Sequence, residues 1–271
     1  MTNSSFITDV QREERSKIFW ALSDSWVMAR RSVKHITRNL DQLLSVALFP
    51  LMFFLLFRFV FGGAIDTGGI SYVNFLVAGI LVQMLAFGSN YTTLNLAIDL
   101  QRGIVDRFRS LPMTSSALLF GHVGADLLRN SISGLIVLGV SFLVGFQPVA
   151  GPIEWLLVFG LAFAFSLAIS WLSAIMGLLV KSMEAAQWTG FIIIFPLTFV
   201  SSAFVPTDTM PEGLQFFAEN QPLTHVIEAM RAWLVGTPLG DSGWLAFAWC
   251  AGIIVASVPI ATWLFRRKAL H

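Results

Sequence analysis

Arg58, Asp126 and Arg129 fall inside long apolar runs, where charge is costly and marks places that bind an ion, a substrate or a counter-charge. Arg58 lies toward the end of the first run. Asp126 and Arg129 lie three apart in the third, a spacing that puts carboxylate and guanidinium on one helix face. Arg58 is placed to snorkel to the headgroups, and the Asp126–Arg129 pair to neutralise itself inside a bundle. An ion-coupled carrier needs an unpaired carboxylate near mid-membrane, and no apolar run carries one clearly there. His35, His122, His225 and His271 sit in separate segments without H-E-x-x-H or a cysteine partner, so no metal is expected and each reads as an isolated interface histidine. Residues 177–182, GLLVKS, lack the glycine before lysine that a phosphate-binding loop needs, and no G-x-S-x-G is present. The lone Cys250 lies in an apolar run and reads as packing.

The elements that position these charges follow from composition. Of 271 residues 56% are hydrophobic and 12% charged, with 25 Phe and a mean hydropathy of +0.74. That leaves too little polar surface for a water-exposed globule, so an all-α membrane protein is expected. Crossing a hydrocarbon core of ~30 Å takes about 20 apolar residues. Six runs qualify, at about 43–61, 72–98, 115–145, 153–180, 186–205 and 244–265. They define a transmembrane domain over 43–265, preceded by a segment over 1–42 and followed by a tail over 266–271. The first run is too long for a signal core and reads as an anchor. Lys and Arg concentrate in 1–42, 99–114, 181–185 and the tail, while 62–71 and 146–152 hold none and 206–243 holds only Arg231 among five acids. The positive-inside rule puts both termini in the cytoplasm. Trp155 and Trp244 near outer ends, and Trp188 and Trp263 near inner ones, suit an interfacial belt.

Three connecting segments are more than turns. Leu22, Trp26, Ala29, Val33, Ile36 and Leu40 form an apolar stripe opposite Arg30, Arg31, Lys34 and Arg38, the pattern of an amphipathic interfacial helix. In 101–114, QRGIVDRFRSLPMT, a helix would put Ile104, Phe108 and Leu111 on one face and Arg102, Asp106 and Arg109 on another, ending at Pro112. Such a two-faced element on the cytoplasmic surface can transmit a push from whatever docks on it. The stretch 206–243 is apolar yet broken by Pro206, Pro211, Pro222 and Pro238, and suggests two short amphipathic helices re-entering the outer leaflet between the fifth and sixth spans.

These residues resemble a family. RGIVDRFRSLPMTSSALLFG (102–121) resembles the coupling helix and following span of ABC-2 type permeases, the membrane subunits of ATP-binding cassette exporters. SSAFVPTDTMPEGLQFFAENQPLTHVIEAMRAWLVG (201–236) is similar to the extracellular segment of its daunorubicin-resistance and nodulation-type branch. The resemblance implies a non-catalytic subunit without a cofactor of its own, paired with a second permease chain, identical or related, in a bacterial plasma (inner) membrane. Separate ATPase subunits would bind ATP and Mg. They would grip Arg102, Gly103, Asp106, Arg107, Phe108 and Arg109 together with Arg30, Arg31, Lys34 and Arg38. Substrate would pass between the permease chains along the first, second and fifth spans, where Phe53, Phe57, Met84, Phe87, Phe195 and Phe199 offer adaptable apolar contact for drugs, antibiotics or lipids. A lipid-linked polysaccharide exporter stays open as an alternative, as does an ion-coupled carrier or integral membrane enzyme with no ATPase partner. Reversing the charges of Arg107 and Arg109 is expected to abolish co-purification of an ATPase subunit while membrane insertion is retained; unchanged association in detergent pull-downs would count against the docking role.

Overall fold

The structure is a computed structural model that describes residues 40–65, 67, 69–102 and 117–268, with side chains described from 46 onward and, after the break, from 118. Every described element is helical. α1 (Leu40–Leu56) continues into a π-helical turn (Phe57–Phe61), followed by α2 (Tyr72–Gln101), α3 (Ala117–Leu143), α4 (Pro152–Leu179) and α5 (Met183–Phe199). A 3-10 turn (Thr207–Thr209) leads to the short α6 (Glu212–Asn220) and α7 (Pro222–Val235), and α8 (Ser242–Lys268) ends the chain. Arg30, Arg31, Lys34, Arg38, Gly103, Asp106, Arg107, Phe108 and Arg109 lie outside the described residues.

Local signals set the helix ends. Ser71, extended at the N-cap of α2, accepts from the Asn74 backbone N–H, and Ser182 does the same for α5 through Ala185. α4 opens with Gly151, Pro152 and Glu154, so a missing N–H and a carboxylate both fall in the first turn. Gly236, at φ 76°, closes α7 with its N–H on the Ala232 carbonyl.

Among the described residues four helices, α2, α3, α4 and α8, are long and apolar enough to cross a membrane. The first run is carried by a shorter apolar helix, Val46–Phe61. The fifth run, expected to stay helical to residue 205, leaves the helix at Phe199. Pro196 lacks an N–H to donate, Thr198 Oγ1 donates to the Ile194 carbonyl at 2.7 Å, and Ser201 Oγ donates to that of Thr198 at 2.5 Å, then accepts from the Ala203 N–H. Side chains thus satisfy the backbone where the helix stops. Large apolar side chains stand exposed along the spanning helices, among them Leu143, Leu156, Val255 and Ile260, as lipid contact requires.

α2 is the axis. It is buried almost all round and packs against α1, α3, α4, α5 and α7. Small residues allow this. A Cβ at Gly79 would strike the Ala203 carbonyl, and one at Gly177 of α4 would strike the backbone of Thr93. Polar side chains then tie the helices together: Thr93 Oγ1 donates to the Ser173 carbonyl at 2.8 Å, and Asn130 Nδ2 to Ser166 Oγ at 2.9 Å and Ser89 Oγ at 3.2 Å. Arg129 and Ser170 both donate to the Asp126 carboxylate, and the Arg129 guanidinium lies 4.7 Å from the Tyr91 ring centroid. Interhelical hydrogen bonds inside bilayers average only ~0.6 kcal/mol, so register here comes from their number and the tight contacts between them. The ion pair is a different case, since removing one partner strands a buried charge. Asp126→Ala is expected to cost about 3–5 kcal/mol and Asp126→Leu combined with Arg129→Met far less, read as the loss of folded protein on heating in detergent.

Candidate functional site

The dominant feature on the α1–α5 side is a row of phenylalanine rings. Phe49, Phe53, Phe57 and Phe61 recur every fourth residue along α1 and its π turn, with centroids 4.9, 6.3 and 5.2 Å apart. α5 carries a parallel series, Phe191, Phe195 and Phe199, at 4.8 and 4.3 Å. Side chains four apart on a helix stack one above another, so each series forms a stripe. The stripes meet where Phe53 turns its edge to Phe199 at 5.7 Å, and Phe87 of α2 bridges Phe49 and Phe191 at 5.3 and 6.1 Å. Five of the six expected path residues, Phe53, Phe57, Phe87, Phe195 and Phe199, therefore share one half-buried surface. Met84 does not join them: it is fully buried and its Sδ-methyl end approaches Gly134 of α3.

Phe204 closes the row. It lies in the turn after α5, stacks on Phe57 at 4.5 Å and 18°, and meets Phe199 at 4.9 Å. Three side chains pin this turn. Tyr72 Oη donates to the Phe204 carbonyl at 3.0 Å, and Gln221 Nε2 donates to the carbonyls of Leu197 and Val200. Arg231, only 2% exposed, donates to the Ser202 carbonyl at 2.6 Å, the Phe75 carbonyl at 3.1 Å and Glu228 Oε1 at 2.6 Å, with its guanidinium over the Phe75 ring. A buried guanidinium with all three nitrogens engaged is held by geometry as well as charge. On the same helix burial pushes the His225 imidazole below its ordinary pKa, with Glu228 opposing.

At the opposite end of α2, Arg102 is exposed and its backbone N–H caps the helix on the Ile98 carbonyl at 3.0 Å. One turn earlier Asp99 meets His122 Nε2 at 2.9 Å, joining the last turn of α2 to the first turns of α3. His122 is thus a paired residue, correcting its reading as an isolated histidine. Arg58 sits in the π turn with its guanidinium carbon 5.9 Å from the Phe59 ring. Among the described residues no three His, Cys, Asp or Glu are grouped to hold a metal.

A helical membrane bundle with these features matches one family profile, that described as ABC-2 type transporter, over residues 24–235. The chain belongs to the ABC-2 type transporter family. A daunorubicin resistance ABC transporter permease protein of Streptomyces coeruleorubidus is 32% identical over 85% of this chain and 81% of its own length. A probable doxorubicin resistance ABC transporter permease protein of Mycobacterium tuberculosis is 23% identical over 92% and 91%. Nodulation protein J of Rhizobium leguminosarum bv. viciae is 24% identical over 77% and 79%. The phenylalanine row, the turn carrying Phe204, Arg231 and the α2 base with Arg102 all fall inside the family-matched residues.

Phe49, Phe61, Phe191, Phe204 and Arg231 were not singled out by sequence. The four-residue spacing of the first three is visible there, whereas nothing local marks Phe204 or the Arg231 clamp. Arg231→Ala is expected to cost about 1–3 kcal/mol by leaving the buried Phe75 and Ser202 carbonyls without their donor, Glu228 being exposed enough to be solvated, and to raise maleimide labelling of a cysteine introduced at Ser202.

Proposed function

We propose that this ABC-2 family member is the permease subunit of an ATP-binding cassette exporter moving hydrophobic or amphiphilic compounds, a drug, antibiotic or lipid, out of the cell. The observation that carries this reading is the continuous phenylalanine row of α1, α2 and α5, closed at one end by Phe204. Aromatic rings without polar neighbours bind apolar cargo by stacked and edge contacts and adapt to different ring systems. Relatives named for daunorubicin and doxorubicin resistance support the same cargo class.

In this reading the chain crosses a bacterial plasma membrane six times with both termini inside, α1 and α5 serving as its shorter crossings, while α6 and α7 re-enter from the outer side. Two permease chains pair with the phenylalanine rows facing the path between them. A separate ATPase, holding ATP and Mg, docks on Arg102, Gly103, Asp106, Arg107, Phe108 and Arg109 and on the basic helix of Arg30, Arg31, Lys34 and Arg38. Closure of the ATPase pair pushes the base of α2 and α3, which the Asp99–His122 contact joins. The permease hydrolyses no ATP itself and carries no cofactor. The turn bearing Phe204, anchored by Arg231, must yield for cargo to leave.

The test is ATP-driven transport of a fluorescent anthracycline into inverted proteoliposomes holding this chain and its ATPase. Phe57→Ala and Phe199→Ala are each expected to lower apparent cargo affinity by up to about tenfold, the worth of one or two aromatic contacts of ~0.5–1.5 kcal/mol, with basal ATPase activity unchanged. Robust transport by this polypeptide without nucleotide would refute the assignment.

A further inference from the structure

Away from the phenylalanine row, a slot of about 280 Å³ opens between α3 and α4. Its floor is α2, including Met84, and Met230 of α7 lines one end. The slot exists because Gly134 of α3 and Ala162 of α4 leave room where larger side chains would interlock. Leu135, Phe159 and Phe163 stand on its rim and are 60, 46 and 55% exposed. α3 and α4 are both long and apolar enough to span, so side chains exposed there face the bilayer and the mouth opens sideways into hydrocarbon.

The side-chain donors of Asn130 and Ser131 beside the slot are engaged within the protein, and one unpaired acceptor, Asn130 Oδ1, remains at its edge. Asn130 Nδ2 donates to Ser166 Oγ at 2.9 Å and Ser89 Oγ at 3.2 Å, and Asn130 Oδ1, which makes no hydrogen bond, is turned against Gly88 of α2. Ser131 Oγ donates to the Leu127 carbonyl at 2.7 Å. A water needs two to four polar partners, which the slot does not offer, and an empty void forfeits the dispersion contacts of its whole lining. Only an apolar occupant satisfies both conditions, and the medium at the mouth consists of acyl chains.

We propose that this slot lodges one acyl chain of a bilayer phospholipid, which holds α3 and α4 apart and supports Met230 from below. Met230 precedes Arg231 on α7, so the lodged chain bears on the helix that clamps the Phe204 turn. The inference depends on membrane embedding and is independent of the cargo and of the ATPase.

The experiment places the full chain in nanodiscs of phosphatidylglycerol and phosphatidylethanolamine doped with a phospholipid carrying a diazirine in its acyl chain. After photolysis, adducts are mapped by peptide mass spectrometry. Adducts are expected to concentrate on residues 81–85, 134–138 and 158–163, above those on the lipid-facing Val255 and Ile260 of α8. Ala162→Phe, which fills the slot, is expected to remove that excess, and Ala162→Ser to keep it. Should Ala162→Phe not fold, the wild-type pattern alone decides. The proposal is overturned if slot residues are labelled no more densely than α8 or if the folded Ala162→Phe protein keeps the excess. It is equally overturned if an amphiphilic dye displaces the adducts, which makes the slot a cargo site, or if Leu135→Cys forms efficient disulfides between copies, which makes it a protein contact.

Discussion

The constraint behind this architecture is that a helix surrounded by helices inside a bilayer gains nothing from leaving water. α2 occupies that position. Lipid tails are as apolar as its leucines, so its neighbours are held by closeness of approach and by polar pairs that would find no partner elsewhere. Gly79, Gly88 and Gly177 supply the closeness, and Thr93, Asn130, Ser89 and the Asp126–Arg129 pair supply the specific contacts. Once α2 is fixed, Phe87 and Met84 have settled destinations, the aromatic row and the α3–α4 side.

Bulk hydropathy and helix-breaking residues foretold where helices would lie, because crossing length and proline placement are local properties. Each apolar run does carry a helix, and the two short amphipathic helices expected within 206–243 correspond to α6 and α7. The fifth run shows the limit of that reasoning. Residues 200–205 are as apolar as a span, yet Pro196, Thr198 and Ser201 turn the chain away and send Phe204 back onto Phe57. Hydropathy averages over such side-chain-to-backbone bonds.

The candidate site was legible in the same uneven way. Periodicity four identifies stripes on α1 and α5, but that the stripes face each other is a tertiary fact. Residue type groups Met84 with the phenylalanines, but its side chain is buried toward α3, a destination that type alone does not give. Arg231 looked like a stray cation in an acidic loop; its meaning comes from the carbonyls of Phe75 and Ser202, 156 and 29 residues away in the chain. His122 likewise gains its partner from the end of the preceding helix.

That last contact has a mechanical implication. Asp99 and His122 lie on either side of the charged connection and within one hydrogen bond of each other, so its two stalks share a strut at the root. From this joint α2 runs unbroken to Phe75, whose carbonyl Arg231 holds, so one continuous helix links the paired stalks to the clasp.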